Sequence, residues 1–213
     1  MGRRALRTID PNLDLSAWAI DLEELPRPAT GAALFGRDAP LEVEVGSGKG
    51  LFLRTAAVEY PQRCFLGSEV VRKYARFTAA GLAKRELTNA KIVVGDALRL
   101  FAEWLPDRSV AAVHVYFPDP WWKKRHRKRR VMRESFVRDV QRVLEPGGVL
   151  HFWTDVAEYF QASLETLAAH TTLDGPHRVD EMPAEHEMDY RTHFERRMRK
   201  HEEEVFRSEF RKA

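Results

Sequence analysis

The sequence predicts an α/β fold, doubly wound around a mostly parallel sheet, and two observations carry that expectation. Short apolar runs alternate with longer segments of helical period, the order that builds βαβ units. Two of the runs, Ala90-Lys-Ile-Val-Val94 and Ala111-Ala-Val-His-Val-Tyr-Phe117, are close to continuously apolar, as strands covered on both faces are. Right-handed crossovers would then place helices on both sides of the sheet.

The elements follow in order. Leu41-Glu-Val-Glu-Val45 alternates as a strand does and ends at glycines, and residues 51 to 59 read as a helix. Cys64-Phe-Leu-Gly67 is a second short strand, and residues 71 to 85 carry apolar side chains at helical spacing with Arg and Lys between. Lys91–Val94 and Ala111–Phe117 are the third and fourth strands. Residues 132 to 144 form a helix stopped by Glu-Pro-Gly-Gly. Val149–Trp153 is a fifth strand, followed by a helix over 156 to 169. A highly charged helix is expected from Glu185 to Glu204, and Val205–Phe210 is expected as a last strand at the sheet edge. Residues 1–40 hold four prolines and little periodicity, so they read as an irregular N-terminal arm ahead of one domain over 41–213.

Composition bounds the function. At 213 residues with 44% apolar content, the chain is long enough to bury a core without disulfide staples. Its net charge is only +3, and without the seven cations of residues 123–130 it falls to −4. The basic character is therefore local, which fits a docking site for a polyanion. The single cysteine, Cys64, excludes an internal disulfide and a cysteine-based metal site. No His, Asp and Glu set has convincing metal-ligand spacing, so no metal is expected. The N-terminus has no apolar run behind its basic residues, and no 18-residue apolar stretch exists. A soluble cytoplasmic protein without membrane association, monomeric or homodimeric, is the expectation.

The most informative stretch is Phe117-Pro-Asp-Pro-Trp-Trp-Lys-Lys-Arg-His-Arg-Lys-Arg-Arg130. A carboxylate, Asp119, stands between two prolines that fix φ. Two indoles follow, faces on which a base can stack. Then comes a run of cations of the kind that neutralises phosphates. One of Trp121 and Trp122 is expected on a nucleic-acid base and the other in the core. His126 is expected as another phosphate neighbour. A solvated charge run is the plain alternative, but it does not explain the Pro-Asp-Pro-Trp-Trp lead-in.

Glu44-Val-Gly-Ser-Gly-Lys-Gly50 links the first strand to the first helix, where glycines let backbone approach a ligand. A P-loop would place a hydroxyl residue after Gly-Lys, but Gly50 stands there; a dinucleotide fingerprint would need glycine at 51, which is Leu51. Glu44 just before the turn would repel a pyrophosphate and suits a cation with an amino-acid tail. S-adenosyl-L-methionine (SAM) is the candidate, with Gly46 and Gly48 beside it. Glu69, 19 residues past Gly50, stands where a carboxylate accepts ribose hydroxyls, and Asp96 where an adenine amino group could donate. Each acid alone is as readily a helix N-cap; three at successive strand ends make the pattern. Two other classes compete: a non-catalytic RNA-binding module, opposed by the intact acids, and a nicotinamide-dependent oxidoreductase, opposed by Leu51 and Glu44.

The stretch from Phe117 to Arg130 closely resembles the tRNA (guanine-N7-)-methyltransferase family. Further matching pieces are Glu44–Gly50, Gly67-Ser-Glu69, Asn89–Asp96, Trp153-Thr-Asp155 and Arg191-Thr-His-Phe-Glu195, in register from about residue 41 to 197. The resemblance implies a Rossmann-like class I methyltransferase fold, with a seven-stranded sheet whose last strand is antiparallel. It implies SAM-dependent methylation of N7 of a guanosine in the tRNA variable loop, leaving S-adenosyl-L-homocysteine. Glu44, Glu69 and Asp96 look like SAM contacts, and Asp119 like the residue at the reacting centre, touching cofactor or target base. Lys123 and Asp155 resemble substrate-binding positions, as do Thr192, His193, Phe194 and Glu195. Lys124, Arg125, His126, Arg127, Lys128, Arg129 and Arg130 look like the RNA-contacting stretch. Two departures are visible: Arg-Arg-Met-Arg follows Glu195 where a glycine is frequent, and Trp122 replaces a common proline.

Overall fold

In the computed structural model, which describes residues 6, 8–181, 183, 184, 186 and 190–213 (the side chains of Lys124 and Arg127 excepted), the expected strands line up in one sheet. In chain order they are β1 (Ala19–Asp21), β2 (Leu41–Val45), β3 (Cys64–Glu69), β4 (Ala90–Val94), β5 (Val110–Tyr116), β6 (Leu144–Thr154), β7 (Asp174–Arg178) and β8 (Phe206–Arg211). Across the sheet the order is β1-β4-β3-β2-β5-β6-β8-β7. β1 to β6 pair in parallel; β8 runs antiparallel to both β6 and β7.

Both faces are covered, as the apolar strands require. α2 (Leu51–Glu59) and α3 (Arg72–Ala83) bury Phe52, Leu53, Ala75, Ala79 and Leu82 against Phe65 and Ile92. On the other face α5 (Glu134–Val143) and α6 (Ala157–His170) bury Phe136, Val140, Tyr159 and Leu167 against Val43, Val113 and Phe152. A phenylalanine withdrawn from water in this way stabilises the fold by roughly 1.5–3 kcal/mol. Leu100, Phe101 and Trp104, which follow the short α4 (Ala97–Arg99), are also buried.

Four expectations change. The sheet has eight strands among the described residues, not seven. The additional one is β1, from the segment read as irregular; three residues are too few to show a period, and it forms because its backbone pairs with β4, Ala19 opposite Ile92. The same segment holds α1 (Gly31–Phe35) and buries Leu22, Leu25, Ala29 and Leu34 in the core. The last strand does not lie at the edge: β8 enters between β6 and β7, and β7, with only polar residues, glycine and proline, showed no apolar pattern to read. The charged C-terminal helix is shorter than expected, α7 spanning only His193–Lys200. Glu185, its expected start, lies outside the described residues.

Because β2 to β6 are parallel, whatever follows each of them emerges at one edge of the sheet. The glycine turn, Glu69, Asp96, the Pro-Asp-Pro segment and Asp155 are gathered there by topology alone.

Candidate active site

β2 delivers Glu44 to this edge with only 3% of the residue exposed. Burial pushes its carboxyl up to about 7, the Glu69 charge adds to this, and the Ser47 hydroxyl and the Arg54 guanidinium oppose it. The Ser47 hydroxyl lies near enough to act on the carboxyl but makes no well-formed bond to it, so among the described residues Glu44 Oε2 has no hydrogen-bond partner. A buried carboxylate oxygen without a donor is costly unless something satisfies it.

The turn above it is shaped by its glycines. Gly46 has φ +75°, and a Cβ there would point into open space. Gly50, at φ +65°, is constrained from the other side: a Cβ would lie 2.3 Å from the Thr78 methyl. Thr78 also donates its hydroxyl to Gly48 O at 3.1 Å. It is a determinant of the turn for which the sequence carries no signal, because it comes from the middle of α3. Glu69 holds the turn down, Oε2 accepting from Gly48 N at 2.9 Å and Oε1 from Val71 N at 2.8 Å. Each oxygen keeps a second lone pair. Asp96 is exposed and caps α4, accepting from Leu98 N at 2.9 Å.

β5 ends at Tyr116 and the chain turns at Phe117, whose φ is +51°. Asp119 is exposed, between the half-buried Pro118 and Pro120. Trp121 is not in the core. It is half-buried beneath the basic segment, with Arg129 5.1 Å from its ring and His126 edge-on at 5.9 Å. Trp122 is 67% exposed. The basic run forms a 3-10 helix over Lys124–Arg129, and Lys123, Arg125, Lys128 and Arg129 are exposed. The side chains of Lys124 and Arg127 lie outside the described residues. Arg130 corrects the sequence reading. It is buried, donating Nε to Pro120 O at 2.8 Å, forking onto the Glu158 carboxylate at 3.2 and 3.3 Å and stacking on Tyr159. Its guanidinium anchors the turn to α6 and is not presented to solvent.

The C-terminal helix docks against this turn. Phe194 packs on Phe117 with centroids 4.8 Å apart, and Arg197 lies 4.3 Å from the Phe194 ring. Thr192 is the N-cap of α7, its Oγ1 accepting from Glu195 N at 2.9 Å. Glu195 is buried: Oε2 accepts from Arg191 N at 2.7 Å and Oε1 lies 3.5 Å from both Arg199 and Arg207. The Thr-x-x-Glu pattern thus builds the helix start here. His193 is half-buried on the first turn. Asp155 is half-buried, and burial raises its carboxyl while Arg197 lowers it.

Residues 38–208 match the family model described as "Putative methyltransferase". A tRNA (guanine-N(7)-)-methyltransferase of Rhodopirellula baltica is 48% identical over 100% of this chain and 80% of that protein. One of Alkalilimnicola ehrlichii is 38% identical over 88% of this chain and 81% of that protein. The chain belongs to the tRNA (guanine-N7)-methyltransferase family.

Solved structures agree on the fold. The aminoglycoside resistance methyltransferase NpmB1 superposes with TM-score 0.58 at 17% identity, over 82% of this chain and 87% of that one. A SAM-dependent methyltransferase from Aquifex aeolicus gives 0.56 at 14% identity, over 83% and 84%. The methyltransferase fold leaves the donor requirement to be tested on the residues present, and they fit it. The unpartnered Glu44 oxygen matches an ammonium, and the backbone at Gly46, two residues on, has open space where a Cβ would stand. Among the described residues no group of three or more His, Cys, Asp or Glu is placed to hold a metal ion, and no helix is long and apolar enough to cross a membrane.

Proposed function

We propose that this protein is a SAM-dependent tRNA (guanine-N7)-methyltransferase, acting in the cytoplasm on a guanosine of the tRNA variable loop. The observation that carries the reading is the buried Glu44 carboxyl, with Oε2 unpartnered, at the same sheet edge as the Pro-Asp-Pro turn and its basic helix. When bound, SAM supplies an electrophilic methyl group. Glu44 accepts hydrogen bonds from the donor's ammonium, Glu69 uses its free lone pairs for the ribose hydroxyls, and Asp96 takes the adenine amino group. Gly46 and Gly48 let the backbone close on the ligand.

Guanine N7 is a neutral lone-pair nucleophile, so no proton has to leave before it attacks. The protein needs no strong general base. It needs the nitrogen held in line, which can supply about 7–11 kcal/mol, and a carboxylate near the purine as positive charge arrives. Asp119 fills that role or orients the base, with two prolines limiting its poses. Lys123, Asp155 and the Thr192–Glu195 segment line the substrate side. Arg125, His126, Lys128 and Arg129, with Lys124 and Arg127, meet phosphates, and exposed Trp122 offers a face for an RNA base.

Incubation with labelled SAM and a tRNA transcript, followed by cleavage at N7-methylguanosine, tests this. One labelled guanosine in the variable loop is expected, and Asp119→Ala is expected to cut turnover by at least a hundredfold while leaving SAM affinity within a few-fold. Label on another base or atom, or equal turnover by the variant, would refute the assignment.

A further inference from the structure

A second cavity, of about 430 Å³, lies on the sheet face that carries α2, away from the glycine turn. It is bounded by Glu42 of β2, His151 of β6, Tyr60 and Arg63 after α2, Glu145, and Arg191 just before α7. Its volume falls in the range of small-molecule sites, about 300–1,000 Å³. One wall is a built polar network. Glu42 Oε2 is 2.8 Å from His114 Nε2, and His114 Nδ1 is 2.9 Å from the Tyr116 hydroxyl; Arg63 pairs with the other Glu42 oxygen. The His114 ring stacks on His151 at 4.7 Å and 6°.

Arg63 and Arg191 place two guanidiniums on the lining. Arg63 lies 5.4 Å from the Tyr60 ring; the Tyr60 phenol bonds to the Glu59 carboxylate, which with burial raises it, while the charges of Arg191 and Arg63 lower it. Among the described residues no carboxylate pairs with the Arg191 side chain. Two guanidiniums lining one cavity make a donor set suited to a phosphate. Glu42, bonded to His114 and Arg63, keeps a second lone pair on each oxygen, and the half-buried Glu145 adds another acceptor to the lining.

We propose that this cavity binds a nucleotide: its phosphate between Arg63 and Arg191, and a base bearing an amino group directed towards Glu42 and Glu145. Neither the glycine turn nor the Pro-Asp-Pro turn contributes to the lining, so the site is distinct from the donor turn, although Arg191 adjoins the Thr192–Glu195 segment. The nucleotide is either free or one unit of the RNA substrate; only the RNA source rests on the function proposed above.

The test titrates the full-length, SAM-saturated protein with AMP and with inorganic phosphate by calorimetry, alongside Arg191→Gln and Tyr60→Phe. SAM affinity of each variant reports on folding and on the other site. Saturable AMP binding, stronger than phosphate and weakened at least tenfold in Arg191→Gln, is expected. A rise in the KM for tRNA with kcat held in that variant would assign the nucleotide to the RNA. An unchanged KM with AMP binding lost would assign it to a free nucleotide. Absence of AMP binding, or equal AMP binding by the parent and Arg191→Gln, overturns the proposal, whether or not the protein methylates tRNA.

Discussion

Glu44 shows what one side chain contributes. A free protein with this carboxyl near 7 holds its proton through much of the physiological range, and a bound ammonium requires the proton to leave. SAM affinity is therefore expected to fall on the order of tenfold from pH 8 to pH 6. In Glu44→Gln the affinity should be lower at pH 8 and nearly independent of pH; calorimetry at the two pH values measures both. The position of Glu44 was legible, because a carboxylate directly before a glycine turn argues against a pyrophosphate. Its ionisation was not, since that depends on burial in the folded chain and on the nearby Glu69 charge. Asp96 and Thr192 turned out to cap helices, a role for acids and hydroxyls at such positions that sequence cannot separate from ligand binding. Arg130 reads as one more cation in a run, and only the fold shows that Glu158, Pro120 and Tyr159 hold it.

At the scale of elements, α7 packs Phe194 on Phe117, so the C-terminal helix braces the turn that leads into the basic 3-10 helix. Arg125, Lys128 and Arg129 are exposed, and on the function proposed above they would give tRNA binding its salt dependence. Neutralising all three is expected to reduce the slope of log affinity for tRNA against log salt by about 2–3, since each phosphate contact contributes roughly 0.7–0.9. A filter-binding titration at several salt concentrations measures it, and an unchanged slope would remove the helix from the interface. Composition and order made this segment legible. The brace was not, because Phe117 and Phe194 are far apart in the chain and neither lies in a periodic pattern that points to the other.

For the whole molecule, two buried groups set opposing pH dependences. The Glu44 carboxyl is raised from 4.5 to about 7, so the free protein gains up to about 3 kcal/mol below pH 4.5 that is lost as pH rises to 7. Burial lowers the His114 imidazole from 6.5 to about 4, against the pull of Glu42. Its contribution, of similar size, is complete above pH 6.5 and lost as pH falls to 4. The two nearly cancel between pH 6.5 and 4.5. Glu42, held down to about 2 although burial opposes it, because His114 and Arg63 partner it, adds a loss below pH 4.5. Thermal melts of the free protein should therefore vary little between pH 6.5 and 4.5 and fall below that. Glu44→Gln should instead lose stability steadily from pH 6.5 to 4, and an identical profile for variant and parent would refute the assignment. The order of strands and helices at the centre of the sheet was legible because β4 and β5 are close to continuously apolar, β2 alternates up to a glycine turn, and helical-period segments separate them. The edges were not. β1 is three residues long and β7 is polar, and both form through backbone pairing with strands whose position only the assembled sheet defines.

The most direct measurement is a crystal structure of the protein with S-adenosylhomocysteine. The account predicts the amino group within hydrogen-bond distance of Glu44 Oε2, the ribose hydroxyls on Glu69, and the sulfur facing Asp119. A ligand bound elsewhere, or one lying on the glycine turn with Glu44 still unpartnered, would contradict it.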